Sequence, residues 1–131
     1  MAGWLIDTSV LVDAERGGGG LGHVPEEGEH AISIITASEL LHGVHRAADG
    51  ARRTQRRAFV EHVLADLEVL PITLEVGRIH ADIWAQLETA GDLVGAHDLW
   101  IAATALANGL SIATSNARDF ERIPGVAVLA V

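Results

Sequence analysis

Four positions in this chain, Asp7, Glu39, Asp98 and the Asn116/Asp119 pair, fall where an apolar run gives way to a helix start or inside a helix's first turn. Carboxylate oxygens are hard ligands suited to Mg2+ or Mn2+. Gathered at one edge of a sheet, they would form a divalent-metal site that acidifies a water, aligns it with a phosphodiester and stabilises the departing oxygen. Each position also has a purely structural explanation. Asp7 in Leu5-Ile6-Asp7-Thr8-Ser9 can cap the next helix, worth ~1 kcal/mol. Thr36-Ala37-Ser38-Glu39 fits a capping box, with Glu39 reaching back to the Thr36 amide. Asp98 would gain ~0.3–1 kcal/mol from a helix dipole, and Asn116 with Asp119 would make an N-cap and its partner. Capping explains each acid singly, but it does not require one at nearly every helix start on one edge.

The elements that would position these residues follow from hydrophobic periodicity. Trp4-Leu5-Ile6, Ala31–Ile35, Val69–Ile72, Ser111–Thr114 and Val126–Leu129 are short apolar runs that predict strands, with Pro71 pushing the third toward an edge. Between them, Ser9–Glu15 predicts a first helix, closed by Arg16 and the Gly17–Gly20 run. Ala37, Leu40, Leu41 and Val44 stand at i, i+3, i+4 and i+7, the apolar stripe of a helix over residues 36–47. Glu39 flanks that stripe, with His42 and Arg46 along its own side. Val60, Val63, Leu64 and Leu67 mark a further helix, as do Val76, Ile79, His80, Ile83 and Leu87, and then Leu99, Ala102, Ala103 and Leu106, stopped by Asn108-Gly109. Ala117–Arg122 predicts a short last one. Short apolar strands alternating with helices imply βαβ units, so the expected fold is α/β: a mostly parallel sheet of about five strands with helices on both faces. Such a sheet carries its ligands at the carboxyl ends of its strands. Asp7, Asp98 and Asn116/Asp119 all belong to that edge.

Composition narrows the function classes. The 131 residues are expected to form one domain with a sizeable core. No apolar stretch is long enough to span a bilayer, and the absence of cysteine excludes disulfides and thiolate metal sites. The opening residues lack a basic region and Asp7 interrupts their apolar run, so no signal peptide is expected and a cytoplasmic location is the default. A net charge of −9 excludes a protein that coats nucleic acid by bulk charge. Yet all nine basic residues are arginine, and Arg46, Arg52, Arg53, Arg56 and Arg57 fall close together. They read either as a solvated helix face or as a phosphate-contacting patch on an acidic body.

The histidines, His42 and His45 included, show no zinc-like spacing with cysteine. His80 on an apolar face reads as a hydrogen-bonded core residue and His97 as a neighbour of Asp98. A receiver-type Mg2+ pocket needs a lysine, which this chain lacks, and a haloacid-dehalogenase-type phosphatase wants a second Asp where Ser9 stands.

Leu5–Asp13, then Thr36-Ala37-Ser38-Glu39-Leu40-Leu41-His42-Gly43, then His97–Ala105, then Thr114-Ser115-Asn116-Ala117-Arg118-Asp119-Phe120 resemble the four ordered motifs of PIN-domain ribonucleases, in particular VapC-type toxins of toxin–antitoxin pairs. The resemblance runs from residue 4 to about 129 and treats residues 1–131 as one PIN-like nuclease domain. It implies a metal-dependent endoribonuclease that cleaves tRNA or rRNA, leaves a 5′-phosphate and a 3′-hydroxyl, and inhibits translation. It makes Asp7, Glu39 and Asp98 the core acids: Asp7 and Asp98 as main contacts to Mg2+, or Mn2+ in its place, and Glu39 on a second ion or the water. The fourth corner falls on Asn116, as a direct polar contact, or on Asp119, in an outer electrostatic role. Thr8, Ser9, Thr114 and Ser115 are hydroxyls for phosphate or for the carboxylates. The implied partners are a VapB-like antitoxin whose C-terminal segment blocks the cleft, an RNA substrate, and a second copy in a homodimer or a larger complex with antitoxin; no membrane is involved. The alternative is a PIN-like module that binds RNA or protein without cleaving.

Overall fold

A computed structural model describes residues 3–131. Five strands, β1 (Gly3–Ile6), β2 (His30–Ser33), β3 (Glu68–Leu70), β4 (Leu110–Thr114) and β5 (Val128–Ala130), form one sheet in the order β3-β2-β1-β4-β5. Every pairing is parallel, as expected for short apolar strands separated by helices. The strand order reverses at β1, whose neighbours are β2 on one side and β4 on the other. A crevice opens there at the carboxyl edge, because the chain leaves β1 and β4 toward different parts of the molecule.

Successive residues of a strand face opposite sides, and this divides the core in two. Leu5, Ala31 and Ile112 pack with α4 (Leu74–Ala90), α5 (Ala96–Ala107) and Phe120 of α6 (Ala117–Glu121). Ile6 and Ile32 pack instead with α1 (Thr8–Glu15), α2 (Ile34–Arg46) and α3 (Gly50–Asp66). His80, expected as a hydrogen-bonded core residue, is buried, but among the described residues its ring makes no hydrogen bond and is instead stacked 3.5 Å from that of Trp100, and burial holds its pKa below the usual histidine value.

Several boundaries differ from the expected ones. β3 lies at the sheet edge as Pro71 requires, but it ends at Leu70, before the proline removes a donor. The last strand spans Val128–Ala130 instead of starting at Val126. The glycine run does more than close α1: its last residue opens a short 3-10 turn, Gly20–His23. The difference that matters most is at β2, which stops at Ser33, leaving Ile34 and Ile35 in α2. The Ser33 hydroxyl caps that helix by accepting from the Thr36 amide at 3.0 Å. Thr36 is therefore inside the helix, the capping box at Thr36–Glu39 does not form, and Glu39 projects from the second turn, outside the reach of an N-terminal amide.

Candidate active site

Asp7 follows β1 directly and is 4% exposed. Its amide donates to the Ala113 carbonyl at 2.9 Å, which continues the β1–β4 ladder by one residue and fixes where the side chain emerges. Although Asp7 is the N-cap of α1, its carboxylate makes no capping bond. Oδ2 instead accepts from the hydroxyls of Ser9 at 2.7 Å and Thr114 at 2.8 Å. Among the described residues Oδ1 has no hydrogen-bond partner, and no buried side-chain oxygen or nitrogen is left unsatisfied, so Oδ1 reaches solvent in the cavity that Asp7 lines. A carboxylate fixed by two donors on one oxygen and open on the other is oriented as a ligand rather than as a cap.

Thr114, the last residue of β4, is fully buried. Besides holding Asp7, its Oγ1 accepts from the Asn116 amide at 2.9 Å, while the Ser115 amide donates to Ser9 Oγ at 3.2 Å. The turn after β4 is thus stitched to the start of α1. Glu39 is positioned in the same manner: Thr8 Oγ1 donates to its Oε1 at 2.7 Å, and His97 Nδ1 lies 3.3 Å from its Oε2. Three of the four hydroxyls anticipated at the site, those of Thr8, Ser9 and Thr114, are therefore committed to orienting carboxylates. His97, expected only as a neighbour of Asp98, links the first turn of α5 to α2.

Asp98 sits in that first turn, after the N-cap Gly95. Burial first, then the charges of Asp7, Asp119 and Glu39, push its pKa up from 3.8 to about 6, against a smaller downward pull from His97. Helix-dipole stabilisation of the carboxylate, which would act downward, is outweighed by crowding with like charge in a partly desolvated place.

A cavity of about 470 Å³ brings these residues together: Asp7, Thr8, Ser9, Glu39, Asp98, Ser115 and Asn116 all line it. Asp119 does not. It borders an adjoining cavity of about 240 Å³, which shares Asp98 and is flanked by Arg122. Asn116 is the N-cap of α6, yet its side chain makes no capping bond and stays free to face the main cavity. Three further residues in the lining were not anticipated, Val12, Asp13 and Arg16. With Ser9 they stand at i, i+3, i+4 and i+7, one face of α1, and that spacing was legible in the sequence. The Gly17–Gly20 loop wraps Asp13 closely: a Cβ at Gly18 would overlap its carboxylate.

The donor set suits a hard divalent cation. Among the described residues no three His, Cys, Asp or Glu side chains form a ready-made metal shell. The open oxygen of Asp7 and the electrostatically strained carboxyl of Asp98 are the two groups a cation would relieve.

Known proteins resemble this chain in sequence and in fold. The sequence matches the family model of the PIN domain over residues 4–126. It is 38% identical over 129 residues to Ribonuclease VapC1 of Rickettsia felis, covering 98% of this chain and 96% of that one. It is also 37% identical over 97 residues to the tRNA(fMet)-specific endonuclease VapC of Salmonella typhimurium, covering 74% of this chain and 71% of the relative. Among solved structures, VapBC-5 of Mycobacterium tuberculosis, a member of the VapBC family of toxin–antitoxin systems, superposes with a TM-score of 0.81 at 34% identity, over 99% of this chain and 98% of the other.

Proposed function

The chain belongs to the PIN-domain family, and from that membership we propose that it is a metal-dependent endoribonuclease, the toxin of a toxin–antitoxin pair, which hydrolyses RNA phosphodiester bonds and thereby inhibits translation. The observation that carries the reading is the convergence of Asp7, Glu39, Asp98 and Asn116 on one cavity at the β1–β4 crevice.

Asp7 and Asp98 would hold Mg2+ or Mn2+, with Glu39 serving a second ion or the water. When bound, the cation would supply an acidified water and a positive charge against the phosphodiester. The chain supplies orientation. Ser9 and Thr114 lock one oxygen of Asp7, so that the other is presented in a single direction. Thr8 and His97 hold the two oxygens of Glu39, which leaves that carboxylate placed to accept a proton from water. The amide of Asn116 donates to a phosphate oxygen without adding a further negative charge, and the Ser115 hydroxyl is free to do the same. Asp119 acts through Asp98 from the adjoining cavity, by charge alone.

The name of the Salmonella relative makes tRNA the first substrate to test, and the toxin–antitoxin title of the Mycobacterium structure supports a protein antitoxin as partner. Purified protein is expected to cut tRNA or rRNA in Mn2+ and to stop in EDTA. Asp7→Asn and Asp98→Asn are each expected to lower the rate at least about a hundredfold, the order expected for losing a metal contact. RNA affinity that persists in EDTA, without cleavage in any metal, would instead identify a binding module.

A further inference from the structure

We propose that Arg16, Arg52 and Arg56, with Gln55, form the track along which the RNA backbone enters the acidic cavity. This rests on the ribonuclease reading and extends it to how a protein of net charge −9 holds a polyanion. The acidic cavity ends on one side at Arg16, and Arg16 also lines a second cavity of about 200 Å³ with Glu15, Arg52, Gln55 and Arg56. The two cavities adjoin at one side chain, Arg16. Glu15 is the single acid in the second, so that cavity carries a positive balance where the first is negative.

The track spans α1 and α3, which both pack on α2 and are tied to each other by the Arg56–Glu15 ion pair. Arg56 is anchored: its Nε donates to Glu15 at 3.1 Å and its Nη1 to the Gly43 carbonyl at 3.2 Å. That leaves its charge largely answered and its position fixed. Arg52, one turn or about 6 Å earlier on the same helix, is 74% exposed and has only a long contact to Asp49 at 3.9 Å. Arg16 is exposed and, among the described residues, makes no ion pair and no side-chain hydrogen bond. Two guanidinium groups, one unpaired and one only loosely paired, lining a cavity beside the acids, suit a run of phosphates, which arginine binds through its planar fork. Gln55, in the same lining, offers an amide for a sugar or phosphate oxygen. Like charge in the acidic cavity repels RNA until cations fill it, so an attractive patch next to it is what brings the scissile bond to the acids. The cluster read from sequence is thereby divided: Arg52 and Arg56 face the track, whereas Arg46, Arg53 and Arg57 lie outside its lining.

The test is the salt dependence of RNA binding and cleavage in Arg16→Ala, Arg52→Ala and the double variant, with Arg16→Lys/Arg52→Lys to restore charge and Arg78→Ala on α4 as a distant control. Affinity for a tRNA fragment is measured in EDTA, and KM and kcat in Mn2+, across a series of KCl concentrations. The double Ala variant is expected to bind about tenfold more weakly near physiological salt, with KM raised more than kcat is lowered. Its slope of log affinity against log salt should be shallower by about 1.4, at ~0.7 per single-strand phosphate contact. The Lys pair should restore the slope, and Arg78→Ala should match the wild type. Unchanged affinity and slope in the double variant, beside a wild type that cleaves RNA, would overturn the track and leave the nuclease intact. RNA affinity unchanged but affinity for a purified acidic partner protein lost would overturn it in favour of a protein-docking face. Should the wild type cleave no RNA in Mn2+ or Mg2+, the nuclease reading fails, and the EDTA binding data still decide whether these arginines hold RNA.

Discussion

A carboxylate that is crowded by other carboxylates becomes a measure of what the site lacks, and Asp98 is that residue here. Its pKa of about 6 in the folded chain lies above the ~3.9 of an unfolded aspartate. The folded state therefore holds the proton more tightly, and stability falls as pH rises from about 4 to about 6. Above that window the full penalty is present, and below it the penalty vanishes. Asp98→Asn should accordingly stabilise the metal-free protein at pH 7.5, by on the order of 1 kcal/mol once the half-exposed position is discounted, and should have little effect at pH 4. Thermal denaturation at the two pH values checks this. The same proton competes with a cation, so Mn2+ affinity should drop as pH falls through about 6. Thr114 offers a second prediction at this scale. Its buried hydroxyl is one of two donors to Asp7 Oδ2, so Thr114→Val should cost about 1–3 kcal/mol by leaving that carboxylate under-satisfied. Thr114→Ser, which keeps the donor, should recover most of the loss in a denaturant titration.

Among the elements, α2 shows both how much could be read in advance and where reading failed. Its apolar stripe placed Leu40 and Val44 in the core, and they are buried there. Its start was misjudged by local chemistry: Ile34 and Ile35 extend an apolar run that looks like strand, and two hydroxyl residues three apart, Ser33 and Thr36, can each cap. Periodicity cannot choose between them; the choice is made by where β2 loses its pairing partner, with Ser33 against Leu70 the last match in the β2–β3 register. Ser33→Ala should therefore cost about 1 kcal/mol and, because it loosens the first turn of α2, lower activity through Glu39 as well. Chemical denaturation together with a cleavage assay separates the two effects. The contest between Asn116 and Asp119 was undecidable from sequence for a similar reason. Both sit at the start of a five-residue helix, and only the path of the turn after β4 decides which of them faces the crevice. Arg16 was missed although its spacing from Ser9 is helical, since the glycines that follow mark it as a helix end rather than as a wall of the site.

For the whole molecule, the parallel sheet and its two helix-covered faces were legible, because short apolar strands alternating with amphipathic helices make βαβ units; the strand order β3-β2-β1-β4-β5 was not, because local pattern does not say which strands pair. What also could not be read was the charge geometry, since residues distant in sequence meet only after folding. An acidic cavity with one arginine-lined approach predicts that the protein gains stability when cations fill the cavity. Mn2+ at about a hundred times its dissociation constant should add ~2.7 kcal/mol, seen as a higher melting temperature, and Asp7→Asn should remove most of that gain.

The bond between Thr114 and Asp7 joins positions 107 residues apart, and β1 has its β4 partner only when Leu110–Thr114 is present. A growing polypeptide thus carries Asp7 and Glu39 long before Asp98 joins them and Thr114 closes the site around Asp7. On the ribonuclease reading, the enzyme stays harmless to the ribosome that is making it until β4 has emerged, and the fold itself sets the moment at which a partner has to be waiting.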